Sequence, residues 1–155
     1  MGYLLPRSGG TARKTVTFTG AAGAGAVGTV AAFTVSGRVL VTVIAAYCTT
    51  LLTEAGATST IKLGTATDDD RYIANPTGGV TDIDAGEWWG GTTPVAGSLD
   101  ILSASGSGSA TPDQSGVVTS ESIILTIGAQ ACNGGVLDIY CIWEPLSAGA
   151  TLVAA

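Results

Sequence analysis

Two adjacent tryptophans, Trp88 and Trp89, stand before Gly90-Gly91 and just after three acids, Asp82, Asp84 and Glu87. Neighbours in an extended segment point to opposite faces, so one indole fills a core and the other stays outside. An outward indole serves either as an anchor for a neighbouring subunit, since aromatics are enriched at interfaces, or as a stacking surface for a sugar. The weakly charged composition favours the subunit contact. Trp88 and Trp89 are therefore the candidate oligomer interface, with glycans as the alternative ligand and Asp82 to Glu87 as their polar rim.

The acids support weaker chemistry. Asp68-Asp69-Asp70 with Asp82, Asp84 and Glu87 supplies the oxygens a calcium ion needs, but the EF-hand spacing is absent and consecutive aspartates diverge, which favours a solvated loop. A glycosidase needs two carboxylates across a sugar, and nothing in the spacing brings two together. Gly23-Ala24-Gly25-Ala26-Val27-Gly28 fits G-x-G-x-x-G on paper, yet a strand-like run, Thr29 to Val35, follows where a dinucleotide site needs a helix. The chain has no histidine, which removes Ser-His-Asp and Cys-His nucleophiles and the commonest base near neutral pH. Cys48, Cys132 and Cys141 follow apolar runs at spacings unsuited to a redox or metal pair, and read as small buried hydrophobes. The sequence predicts no enzyme, no cofactor and no metal site.

Charge is scarce and unevenly placed. Only 12% of the 155 residues are charged, against 46% hydrophobic, and the net charge is −6. Through Arg38 the chain carries Arg7, Arg13, Lys14 and Arg38 and no acid, whereas Lys62 and Arg71 face all twelve acids thereafter. An acidic chain lacks the basic face that phosphates require, so no nucleic-acid partner is expected. Arg38 interrupts the most apolar stretch, Ala21 to Leu52, which argues against a membrane span. The first residues lack the uninterrupted apolar run of a secretory signal, so no export signal is expected.

These residues must be held by strands. Thr, Val, Ala, Gly and Ser dominate while long-chain helix formers are few. Residues 1–13, punctuated by Pro6, Ser8, Gly9 and Gly10, form an expected N-terminal arm; residues 14–155 form one domain. Strands are predicted at Lys14 to Thr19, Thr29 to Ser36, Val39 to Cys48, Ser59 to Gly64, Arg71 to Ala74, Val80 to Trp89, Glu121 to Ile127 and Val136 to Trp143. Ser36-Gly37 and Asn133-Gly134-Gly135 supply turns, the second joining a hairpin. Gly20 to Gly28 and Ser103 to Ser115 are loops by composition, and Leu51 to Ala57 is the one expected helical turn. A spacing near ten residues between strands is that of a sandwich or barrel. The expected fold is all-β, a single jelly-roll-like β-sandwich with an extended arm.

The runs Phe33 to Ile44, Ser59 to Ala66, Asp82 to Glu87 and Ile123 to Trp143 together resemble small β-sandwich capsid decoration, or cement, proteins of tailed bacteriophages. The resemblance spans most of residues 30–145 and is one of pattern and texture. It implies a homotrimer on the capsid exterior, made in the host cytoplasm, that braces the major capsid protein and has no catalytic residues. A surface rich in Ser, Thr, Ala and Gly fits that role because its burial in symmetric contacts carries little desolvation cost. The basic start, with Arg7, Arg13 and Lys14, is the expected capsid-binding arm.

Overall fold

The computed structural model describes residues 9–56, 58–97 and 116–155. Their strands are β1 (Gly10–Thr17), β2 (Gly28–Ser36), β3 (Val39–Glu54), β4 (Thr60–Gly64), β5 (Glu87–Trp89), β6 (Val95–Ala96), β7 (Val117–Thr119), β8 (Ile123–Gly128), β9 (Cys132–Pro145) and β10 (Thr151–Ala154). Among the described residues a single 3-10 turn spans Gly79–Asp82. The strands form two antiparallel sheets packed together as a β-sandwich. The large sheet runs β1-β9-β3-β5-β6, with β7 also on β3, and the small sheet runs β10-β2-β8-β4.

Alternation explains the packing. Ile123, Leu125 and Ile127 of β8 are buried while Ile124 and Thr126 between them are half-buried; Leu137, Ile139 and Cys141 of β9 face inward in the same rhythm. With Phe33, Ile61, Leu63, Trp89 and Leu152 they form one core between the sheets. Each large apolar side chain so removed from water stabilises the fold by about 1.5–3 kcal/mol before entropy is counted. All three cysteines are free thiols within this core, as their apolar contexts predict. Burial raises their pKa, for Cys132 to about 11 and for Cys141 to about 12. Neither is a thiolate near neutral pH.

The strand edges depart from expectation where pairing overrides local composition. β1 begins at Gly10, within the stretch assigned to the arm, because the long β9 presents partners up to Trp143 and the chain takes them residue by residue from Gly10 to Thr17. Arg13 and Lys14 are thus strand residues, and the strand ends before Phe18. β3 continues to Glu54 where a helical turn was expected. Leu52 is buried and Leu51 exposed, a period of two, and the far end pairs with Gly134 and Cys132.

Asn133-Gly134-Gly135 lies inside β9 and makes no hairpin. The reversal comes earlier, where Ala129 takes a positive φ of 62° and Gln130 N–H donates to Gly128 C=O. β8 and β9 then enter different sheets. Gly135 serves the β3–β9 register slip: its φ is +102°, and a Cβ there would lie 2.5 Å from the Leu51 carbonyl oxygen. Val80 to Trp89 divides into the 3-10 turn and the short β5. Arg71 to Ala74 reduces to one bridge, Leu63 with Ile73. β10, too short to stand out in the sequence, pairs with β2. The Ser36-Gly37 turn stands, but it carries the chain from one sheet to the other. Residues 1–8, including Arg7, and the Ser103 to Ser115 loop lie outside the described residues.

Candidate interaction surface

The antiparallel register of the large sheet lines up one residue from each of four neighbouring strands on its outward face. Arg13 of β1 is opposite Tyr140 of β9; Tyr140 is opposite Ala45 of β3; two residues on, Tyr47 of β3 is opposite Trp88 of β5. The Tyr47 and Trp88 rings lie 5.0 Å apart at 50°, Trp88 and Tyr140 5.7 Å apart at 49°, and the Arg13 guanidinium carbon sits 5.6 Å from the centre of the Tyr140 ring. Such tilted ring pairs and cation–π contacts each stabilise by about 0.5–1.5 kcal/mol beyond area burial. Ala45 is only 4% exposed although its parity turns it outward. Its small side chain leaves room for Trp88 to reach across β3 to Tyr140.

A buried carboxylate fixes one end of this row. Asp138 also faces outward, yet only 4% of it is exposed. Arg13 Nη2 donates to its Oδ2 at 2.6 Å and Thr15 Oγ1 to its Oδ1 at 2.5 Å. Burial by itself would raise the carboxyl pKa, but the hydrogen bonds from Arg13 and Thr15 outweigh it and hold Asp138 below the ordinary carboxylate range. The same hydrogen bond raises the Arg13 pKa. Arg13 is therefore pinned in place over Tyr140, with its side chain still half-exposed. Farther along the face, Ile142 of β9 and Val118 of β7 are exposed apolar residues.

The tandem tryptophans divide as alternation requires. Trp89 is fully buried and its Nε1 donates to the Ala74 carbonyl at 3.1 Å, so it belongs to the core and drops out of the predicted oligomer interface. Trp88 keeps the outward role. Lys14 turns to the opposite side of β1 from Arg13, and its Nζ donates to the Ala155 carbonyl, tying the edge strand to the chain end. Neither basic residue of β1 belongs to a free arm. Tyr47, Tyr140 and Asp138 were absent from the sequence-derived site; only their shared parity across strands reveals them.

The remaining candidates resolve into structure. Lys62 Nζ contacts Asp69 Oδ1 at 3.1 Å and Arg71 Nη1 lies 3.7 Å from Asp68 Oδ2, while the Asp68 carbonyl closes a turn by accepting from Thr65 N–H. No group of three potential metal-ligating side chains occurs among the described residues. Asp84 N–H donates to Glu87 Oε2 at 3.0 Å, ordering the turn into β5. The glycine run of Gly23 to Gly28 is a tight loop against β9: a Cβ on Gly25, at φ +116°, would lie 2.0 Å from the Cys132 carbonyl oxygen. No helix of the described residues is long and apolar enough to cross a membrane. No family model, no curated protein and no solved structure matches the chain.

Proposed function

We propose that this chain is a non-enzymatic virion structural protein, a decoration or cement protein that binds the outer surface of a bacteriophage capsid as a homotrimer and braces the major capsid protein. The observation that carries the reading is the Arg13-Tyr140-Trp88-Tyr47 row on the outward face of the large sheet. Trp, Tyr and Arg are the residue types that dominate binding energy at protein interfaces, where they cluster in a pre-packed centre. Here they are already ordered by one another and by Asp138, so little side-chain entropy is lost on docking. The resemblance of the β-strand runs to phage decoration proteins supplies the kind of assembly. The segment before β1, with Arg7, is the part left to lie along an acidic capsid exterior.

A carbohydrate-binding module is the competing reading of the same tryptophan. The tilts near 50° turn the rings against one another and give no common plane on which a sugar would stack. That geometry favours the protein interface.

Solution mass by light scattering, followed by co-sedimentation with phage heads stripped of their decoration, tests the proposal. The wild-type chain is expected to be trimeric or to become so on the heads, and to pellet with them, while Trp88→Ala stays in the supernatant. A chain that remains monomeric and never pellets with heads overturns it.

A further inference from the structure

A second feature lies at the side of the sandwich, where β1 ends the large sheet. Phe18 N–H donates to the Gly135 carbonyl at 3.0 Å, and alternate residues of an antiparallel pair face the same neighbour. Lys14 and Val16 therefore direct their backbone groups to β9, while Thr11, Arg13, Thr15 and Thr17 present theirs to an edge that no described strand covers. The β4 edge of the small sheet is closed instead: Asn75 Oδ1 accepts from Ile61 N–H at 2.7 Å, and Ile73 pairs with Leu63. Nor do charges guard β1, since Arg13 is bonded to Asp138 and Lys14 to the Ala155 carbonyl. An uncovered, unguarded edge is a template for a further strand.

Beside that edge, Lys14 to Thr17 of β1 and Val30 of β2 line an open groove of about 310 Å³ that reaches the loop at Gly23. Val16 and Val30, otherwise buried, form its apolar floor. The residues that precede β1 include one apolar run, Tyr3-Leu4-Leu5, followed by Pro6. Proline has no N–H, so Pro6 fits only opposite a β1 residue whose backbone faces β9. With Leu4 opposite Val16 in an antiparallel register, Pro6 falls opposite Lys14 and Leu4 turns onto the groove floor. A shift of one residue sets Pro6 against Arg13 or Thr15 and turns Leu4 outward. A chain's own Leu4 does not reach. Val16 lies about 20 Å along β1 from Gly10, and the backbone from Gly10 back to Leu4 spans about the same distance fully extended, with none left to reverse direction.

We propose that copies of this chain exchange their first residues: Gly2 to Pro6 of one copy lies antiparallel on the β1 edge of the next, with Leu4 opposite Val16. Exchange in one direction is a heterologous contact, which a closed ring completes. A ring of three rests on the assembly reading above; the exchange itself does not. Arg7 lies beyond the paired residues.

Tyr3 and Thr17 face each other in this register as a hydrogen-bonded pair, about 5.5 Å apart between Cα atoms, within the range of a disulfide. The full chain carrying Tyr3→Cys is mixed with the full chain carrying Thr17→Cys at about 100 μM in free solution and mildly oxidised, and the products are read by mass. A product of one chain of each kind is expected. Tyr3→Cys mixed with Thr34→Cys, whose new thiol is exposed on the small sheet, is expected to give at most about a tenth as much. Leu4→Asp in the Tyr3→Cys chain is expected to lower the yield at least about tenfold, because it sets a carboxylate on the apolar floor. Absence of the mixed product overturns the proposal, as does equal product from the Thr34→Cys mixture or undiminished product with Leu4→Asp. A disulfide within single chains of the double variant Tyr3→Cys/Thr17→Cys assigns the edge to the chain's own segment and overturns it. So does a Thr17→Cys thiol that is protected from alkylation only on phage heads, which assigns the edge to the capsid. A mixed product from a chain that never pellets with heads upholds the exchange and overturns the assembly reading; pelleting without a mixed product does the reverse.

Discussion

The outward faces of the two sheets are built on the same alternation and carry opposite chemistry. On the large sheet, Arg13, Tyr140, Tyr47 and Trp88 meet over a buried Asp138, with Ile142 and Val118 exposed beyond them. On the small sheet, the register brings Thr29, Thr126 and Lys62 into one row, with Ala31 and Thr34 exposed nearby. Val153 is exposed and Ile124 half-buried on the same face, but its described residues carry no aromatic ring. The large sheet uses an ion pair between half-exposed Arg13 and buried Asp138, together with three rings, to order its outward surface. That asymmetry is why the proposed docking face is placed on the large sheet, and it makes the two faces each other's control.

The comparison breaks most severely inside the sandwich. Trp89→Ala removes a fully buried indole and its hydrogen bond to Ala74, and is expected to lower stability by about 3–5 kcal/mol in urea unfolding. Trp88→Ala, one residue away, loses two tilted ring contacts at the surface and is expected to lower it by about 1–3 kcal/mol, with an unchanged m-value. Equal losses would erase the distinction between core ring and surface ring. In binding the order reverses. Trp88→Ala and Tyr140→Ala are each expected to weaken association at least about tenfold, measured by light scattering and co-sedimentation.

Acid titration sharpens the difference between the faces. Asp138 has a folded-state pKa below its unfolded value, so its stabilisation is fully present above the unfolded carboxylate pKa, about 4, and is lost as pH falls through the folded value. Asp138→Asn is expected to flatten this acid limb and to loosen Arg13 from Tyr140, read by thermal melts between about pH 2 and 6. Glu121, lowered chiefly by its hydrogen bond from Thr67, adds to the same limb and survives that substitution. The alkaline limb belongs to the core: the raised thiols of Cys132 and Cys141 and the Tyr72 phenol, pushed up to about 12, lose stability as pH climbs above their unfolded values. The smallest effect is expected on the other sheet. Ala31→Lys or Thr34→Lys should change stability by no more than about 0.5 kcal/mol and leave association intact.

Much of this was legible from residue order. Strict alternation at β8 and β9, the β-branched run at Val39, and the division of Trp88 from Trp89 all follow from a period of two, which is local. What escaped was non-local. Gly10 to Arg13 resembles a free arm until β9 offers it a partner, and Asn133-Gly134-Gly135 resembles a hairpin turn until β3 requires a bulge there. Leu51 and Leu52 suggested a helix because their strand partners lie eighty residues away. The candidate surface escaped for the same reason. Tyr47, Tyr140 and Asp138 are unremarkable in their own strands and become a site only through register.

The sequence by itself determined the class of fold, the burial of the thiols and the presence of one outward tryptophan, because alternation and composition act between near neighbours. Only the tertiary structure decided which tryptophan that is, that Arg13 is a strand residue bonded to Asp138, and which face gathers the rings. Those outcomes depend on pairing between distant strands, where a shift of one residue would turn every side chain to the other face.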